Sequence, residues 1–174
     1  MSESLFRRVL GAEFESLPTT VKAIHLATGA RSYRGQVRVT RGSNPLSRLV
    51  AWATRLPPAG EGALEVEIEA SDRQERWTRH IGGRPMPSRL WEAEGLLCER
   101  LGLAEFGFRL SVRNGVLGWR VARVRVLGLP LPPSAFHAVL AHESESEGRY
   151  WFEVTATLPL VGLLVHYRGW LHVP

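Results

Sequence analysis

The 174 residues contain a single cysteine, Cys98. No internal disulfide can form, so packing alone has to hold the fold. Lysine and aspartate are almost missing as well: Lys22 and Asp72 stand alone, and arginine supplies nearly all of the positive charge. Long apolar runs are absent, with none approaching the ~20 residues that a bilayer-spanning helix needs. The first residues, Met1-Ser2-Glu3-Ser4-Leu5, lack the basic and apolar regions of a signal peptide, and cytoplasmic residence is the expectation. There is no HExxH, no paired CxxC, no G-x-S-x-G and no glycine-rich phosphate loop. His137 and His142 lie five apart with Glu143 following, a spacing that matches no metal motif. Neither a metal nor a cofactor is expected.

The net charge is +5 and the pI about 10.3. Such a balance invites a nucleic-acid function. The arginines are nevertheless scattered through strand-like segments, without a run of five or six and without a zinc-finger or aromatic RNA-binding signature. A nucleic-acid partner is therefore not expected. With 44% hydrophobic residues and a mean hydropathy of −0.09, the chain can bury a core. Its length suits one domain, residues 1–174.

What is present is alternation. Asn114-Gly115 separates two strand-like runs, 106–113 and 116–127. Both residues tolerate positive φ, as a two-residue hairpin turn demands. A second pair, 149–158 and 163–172, flanks Pro159-Leu160-Val161-Gly162. Earlier, Tyr33, Gly35, Val37 and Val39 share one face, as do Leu64, Val66, Ile68 and Ala70, and then Trp77, Arg79 and Ile81. Residues 138–147 form the least distinct strand. Within 116–127 the apolar parity changes, from Leu117, Trp119 and Val121 to Ala122, Val124 and Val126, which predicts a bulge. Helical spacing occupies residues 4–27, capped by Ser2 or Ser4 and interrupted at Pro18, and again residues 45–56. Leu129-Pro130-Leu131-Pro132-Pro133 reads as a rigid corner. The expected fold is mainly β (α+β): a strongly curved antiparallel sheet or calycin-like β-barrel of about eight or nine strands, with two or three N-terminal helices.

Polar residues that interrupt apolar faces are the site candidates. Tyr167 shares a face with Val165, Gly169 and Leu171, and Gly169 leaves room for a close approach. Arg79 alternates with apolar neighbours and can grip a carboxylate, either of a ligand or of a glutamate on a neighbouring strand. Tyr33, Trp77, Arg79, Trp119 and Tyr167 are the expected pocket residues. His166 and Glu153 are the acid–base candidates, and a charge pair across the hairpin is the alternative for them. Tyr33-Arg34-Gly35 echoes Tyr167-Arg168-Gly169, in strands that would be neighbours in a closed barrel. Cys98 sits among apolar residues and reads as a buried, inert thiol.

Phe6-Arg7-Arg8-Val9-Leu10-Gly11, Arg76-Trp77-Thr78-Arg79 and the long segment from Leu158 to Leu171, among other stretches, resemble a bacterial domain-of-unknown-function family, number 4166. Members of that family are often fused behind a saccharopine-dehydrogenase-like module. The resemblance implies a copy of that domain standing without the module, and it assigns no activity or catalytic residue. The leading expectation is a domain that binds a small hydrophobic ligand, lipid-like molecules included. A cofactor-independent cyclase or isomerase is the second. A domain docking on a saccharopine-dehydrogenase-like partner is the third.

Overall fold

The computed structural model describes residues 3–26, 28–53, 56–71 and 73–174. Ser2, offered above as a cap, and Ala27, the expected helix end, lie outside them. Ser4 caps the first helix, α1 (Leu5–Leu10), by accepting the Arg7 N–H. A 3-10 turn at Gly11–Ser16 follows, and α2 (Thr19–Leu26) begins just after Pro18. One face of this pair buries Leu5, Phe6, Phe14, Val21, Ile24 and His25.

The strands are β1 (Gly29–Arg41), β2 (Gly60–Ala70), β3 (Gln74–Ile81), β4 (Arg84–Ala93), β5 (Leu96–Leu101) and β6 (Ala104–Arg113). They continue with β7 (Val116–Val126), β8 (Leu129–Leu131), β9 (Val139–Ser146), β10 (Arg149–Leu158) and β11 (Gly162–His172). All pairings are antiparallel. The order runs β6-β5-β4-β3-β2-β1-β11-β10-β9-β7, and β7 pairs back onto β6. Ten strands thus close a barrel, with β8 as a short addition on the rim of β7. The expected eight or nine strands are too few. Residues 88–100 fold into β4 and β5 around a Glu94-Gly95 turn, and the proline-rich corner starts with β8.

Local chemistry explains the closure. Asn114 and Gly115 have φ of 51° and 74°, so both turn residues are left-handed and match the twist of the flanking strands. The parity change in β7 is a bulge. Gly107 pairs with Arg123 but Phe108 pairs with Val121, leaving Ala122 as the extra residue. β1 and β11, the first and last strands, are neighbours. A side chain at Gly169 would overlap the Gln36 carbonyl oxygen and the Phe152 ring. The room at Gly169 is therefore taken by β1 and by Phe152.

Strand direction assigns every connection to one of two ends. The first helices, the β2–β3, β4–β5, β6–β7 and β9–β10 turns and the C-terminus share one end. There α1 and α2 plug the barrel. Glu145 accepts the Thr20 N–H and Glu13 accepts the Val112 N–H, each at 2.8 Å, tying the plug to the wall. α3 (Pro45–Ala53) sits at the opposite end, the mouth, against β11, with Ala51 buried. The expected helix over 45–56 is described only to residue 53; residues 54 and 55 lie outside.

Candidate functional site

Inside the barrel the alternation delivers aromatic rings from several strands: Trp77, Phe108, Trp119, Tyr150, Phe152 and Tyr167. They leave a cavity of about 100 Å³. A water occupies about 30 Å³ of liquid, and a dry cavity of about 150 Å³ admits benzene. The hollow is thus nearer to one small ring than to a fatty acid. Leu64, Ile81, Val139, Ala141 and Val154 add aliphatic wall.

The polar groups within this shell are the informative part. Arg79 donates to Ser88 Oγ at 2.9 Å and to Glu99 Oε1 at 3.3 Å, and lies over the Trp77 ring at 5.2 Å. Burial alone would depress the guanidinium. The Glu99 carboxylate, with Tyr167 and Tyr150, outweighs it and holds the proton more firmly than usual. Arg79 already has its carboxylate, and that carboxylate is Glu99. Burial pushes Tyr167 up to about 12, against the pull of Arg79. Tyr167 is therefore a neutral donor at any ordinary pH.

A second group joins the plug to the wall. His25 of α2 is almost wholly buried, stacked on Phe6 with centroids 3.6 Å apart. Its Nε2 meets Glu143 Oε2 at 2.6 Å. Tyr150 is also hydrogen-bonded to Glu143, and burial, then Glu143, raise it well above its ordinary value. Glu75 accepts the Trp77 indole N–H at 2.8 Å. Burial pushes the Glu75 carboxyl up; the Trp77 bond and His25 oppose it, and Glu143 adds to it. Among the described residues, Trp119 Nε1 and His25 Nδ1 are buried without a hydrogen-bond partner.

Of the residues expected from sequence, Trp77, Arg79, Trp119 and Tyr167 line the cavity. Tyr33 is buried inside the barrel but is not in the cavity wall. His166 and Glu153 lie on the outer wall, bonded to each other at 2.7 Å across the β10–β11 ladder. The charge pair is what forms there. Cys98 is buried, and burial raises its thiol despite the Arg123 bond at 3.2 Å. His142 and Glu143 are adjacent in β9. Glu143 is buried inside while His142 is exposed. Sequence reasoning missed Glu75, Glu99 and the inward role of Glu143. Their signal was parity, because Glu75 is in phase with Trp77 and Arg79, Glu99 with Leu97, and Glu143 with Ala141. A glutamate in phase with an apolar face has to find a buried partner.

Fold and lumen together define the class: a closed antiparallel β-barrel with a plugged end and a small, polar-floored cavity. The family described as Domain of unknown function (DUF4166) matches residues 17–171, and the chain belongs to it. No curated protein matches the chain. Among solved structures, the chain is similar to the crystal structure of Rv2717c from M. tuberculosis, at 13% identity and a TM-score of 0.42. That match covers 91% of this chain and 99% of the other.

Proposed function

We propose that the barrel binds a small, uncharged, hydrophobic molecule that carries a hydrogen-bond acceptor. The observation behind this is Trp119, whose buried indole N–H has no described partner and whose ring forms part of the cavity wall. A buried donor without an acceptor costs about 1–3 kcal/mol. A guest oxygen at this point recovers that cost, while the aromatic and aliphatic wall receives the rest of the guest.

Charge narrows the class. Arg79 is engaged by Glu99, and Glu75 and Glu143 also sit inside the barrel. A carboxylate guest would meet three glutamates with one committed arginine. Ketones, lactones and alcohols fit better than acids. Size narrows it further, since a guest larger than one ring has to turn Phe152 or Trp119 aside. Residence in the cytoplasm and independence of any cofactor belong to the same proposal.

An acid–base enzyme of cyclase or isomerase type is the second reading. What favours it is the 2.6 Å bond between Glu143, in the cavity wall, and His25. His166 and Glu153 do not reach the cavity, so Glu143 would be the acting group.

The binding proposal is tested by titrating the protein with cyclohexanone and with benzoate, followed by saturation-transfer NMR and calorimetry. Cyclohexanone should bind and benzoate should not. Trp119→Phe, which keeps an aromatic ring of smaller size but removes the donor, should weaken the ketone about tenfold. Equal binding of benzoate, no binding of the ketone, or an unaffected Trp119→Phe would overturn the proposal.

A further inference from the structure

Large apolar side chains that remain exposed are not spread evenly over the barrel. Among the described residues nine are exposed, and eight of them belong to the mouth. Leu46, Leu49 and Trp52 lie on α3, Leu103 on the β5–β6 turn, Leu127, Leu129 and Leu131 on or beside β8, and Leu160 on the β10–β11 turn. Only Leu26 is at the plugged end. Trp52 is 76% exposed and Leu127 71%.

Grooves link three of these groups. One groove carries Trp52 and Leu103, and the next carries Leu103 and Leu127. The unpaired charge around them is of one sign. Arg48 and Arg84 line the first groove, and neither pairs with a described carboxylate. Arg41 is there too, its guanidinium held by the Leu56 and Pro57 carbonyls. The carboxylates at this end are taken: Glu61 faces Arg38, and Glu105 faces Arg100 and Arg125. What remains uncompensated among the described residues is positive.

Leucine and tryptophan projecting from separate loops at one end of a barrel, ringed by free arginine, match the composition of surfaces that lie in the headgroup region of a membrane. A protein partner would have to match the contour of several independent segments. A fluid bilayer needs no such match. No helix among the described residues is long and apolar enough to cross a membrane, so contact by this end is peripheral. We propose that the mouth docks on an anionic phospholipid bilayer. Leu49, Trp52, Leu103 and Leu127 enter the boundary between headgroups and acyl chains, and Arg48 and Arg84 meet the lipid phosphates. The argument is independent of what the lumen holds.

The test uses the full chain and sedimentation with vesicles. One set is phosphatidylcholine alone, the other an equimolar mixture with phosphatidylglycerol. The protein should follow the anionic vesicles and be released by salt. Arg48→Gln and Arg84→Gln should each weaken the partition about fivefold. Leu49→Ser with Trp52→Ala should weaken it on the order of tenfold or more. Both side chains are exposed, so the double variant should keep the wild-type melting temperature, and circular dichroism checks this. Three results would overturn the proposal. The first is no preference for anionic vesicles. The second is a partition that survives the double substitution. The third is a dimer or a complex with another protein that the same substitutions disperse, with no vesicle binding by the wild type.

Discussion

Truncating Glu143 probes the joint between plug and wall. Its carboxylate accepts from His25 Nε2 at 2.6 Å and is hydrogen-bonded to Tyr150. The His25 side chain is 0% exposed and its Nδ1 has no described partner. Glu143→Ala therefore leaves an imidazole with neither nitrogen satisfied and a buried phenol without its acceptor. Each orphaned group costs about 1–3 kcal/mol, and removing one member of a buried pair about 3–5 kcal/mol in all. A chain of this size loses roughly 2–4 °C per kcal/mol, so the melting temperature should fall by roughly 10 °C. Replacing both partners, with His25→Phe and Glu143→Leu, removes the polar groups and fills the space. It should cost roughly half as much or less, because the imidazole is gone and only the Tyr150 phenol is left without its acceptor. Thermal and urea unfolding followed by circular dichroism at neutral pH give both values. A loss below about 1 kcal/mol for Glu143→Ala, or a double variant as unstable as the single one, would refute the assigned role.

Glu75 should make stability depend on pH in a defined direction. Its native carboxyl is raised by burial above the ordinary 4.5, so the folded state binds more proton than the unfolded one as pH rises from there. Stability should thus fall with pH between the ordinary value and the raised one, then level off. Glu75→Gln keeps an acceptor for Trp77 Nε1 without the charge; it should be more stable than wild type at neutral pH and should flatten this slope in urea titrations. At Gly169, alanine would push its Cβ into the Gln36 carbonyl and the Phe152 ring. Since one neighbour is backbone, the β1–β11 ladder has to shift, and Gly169→Ala should cost about 1–3 kcal/mol in the same unfolding experiment.

Much of the barrel was legible in the chain. Period-two alternation put Val37, Val66, Ile81 and Tyr167 on inward faces. Asn114-Gly115 located a hairpin, and the parity change in residues 116–127 located the bulge at Ala122. These are local signals, fixed by the alternation of Cβ atoms along a strand and by the few residues that tolerate positive φ. The strand count came out low because residues 88–100 hold parts of two strands around Glu94-Gly95 and the proline-rich corner opens with β8.

Tertiary structure alone decided which inward residues meet. His25 lies 118 positions from Glu143 in sequence, and no periodicity couples a helix before the first strand to the ninth strand. Arg79 was open to either a ligand or a glutamate until the register of β3, β4 and β5 placed Glu99 beside it. His166 and Glu153 were open to acid–base chemistry or to a charge pair across the hairpin, and the ladder pairs them on the outer wall. Alternation specifies the face a side chain takes. Ring closure and the helical plug specify its neighbours, because contact across a barrel depends on strand order and stagger, which adjacent residues do not encode.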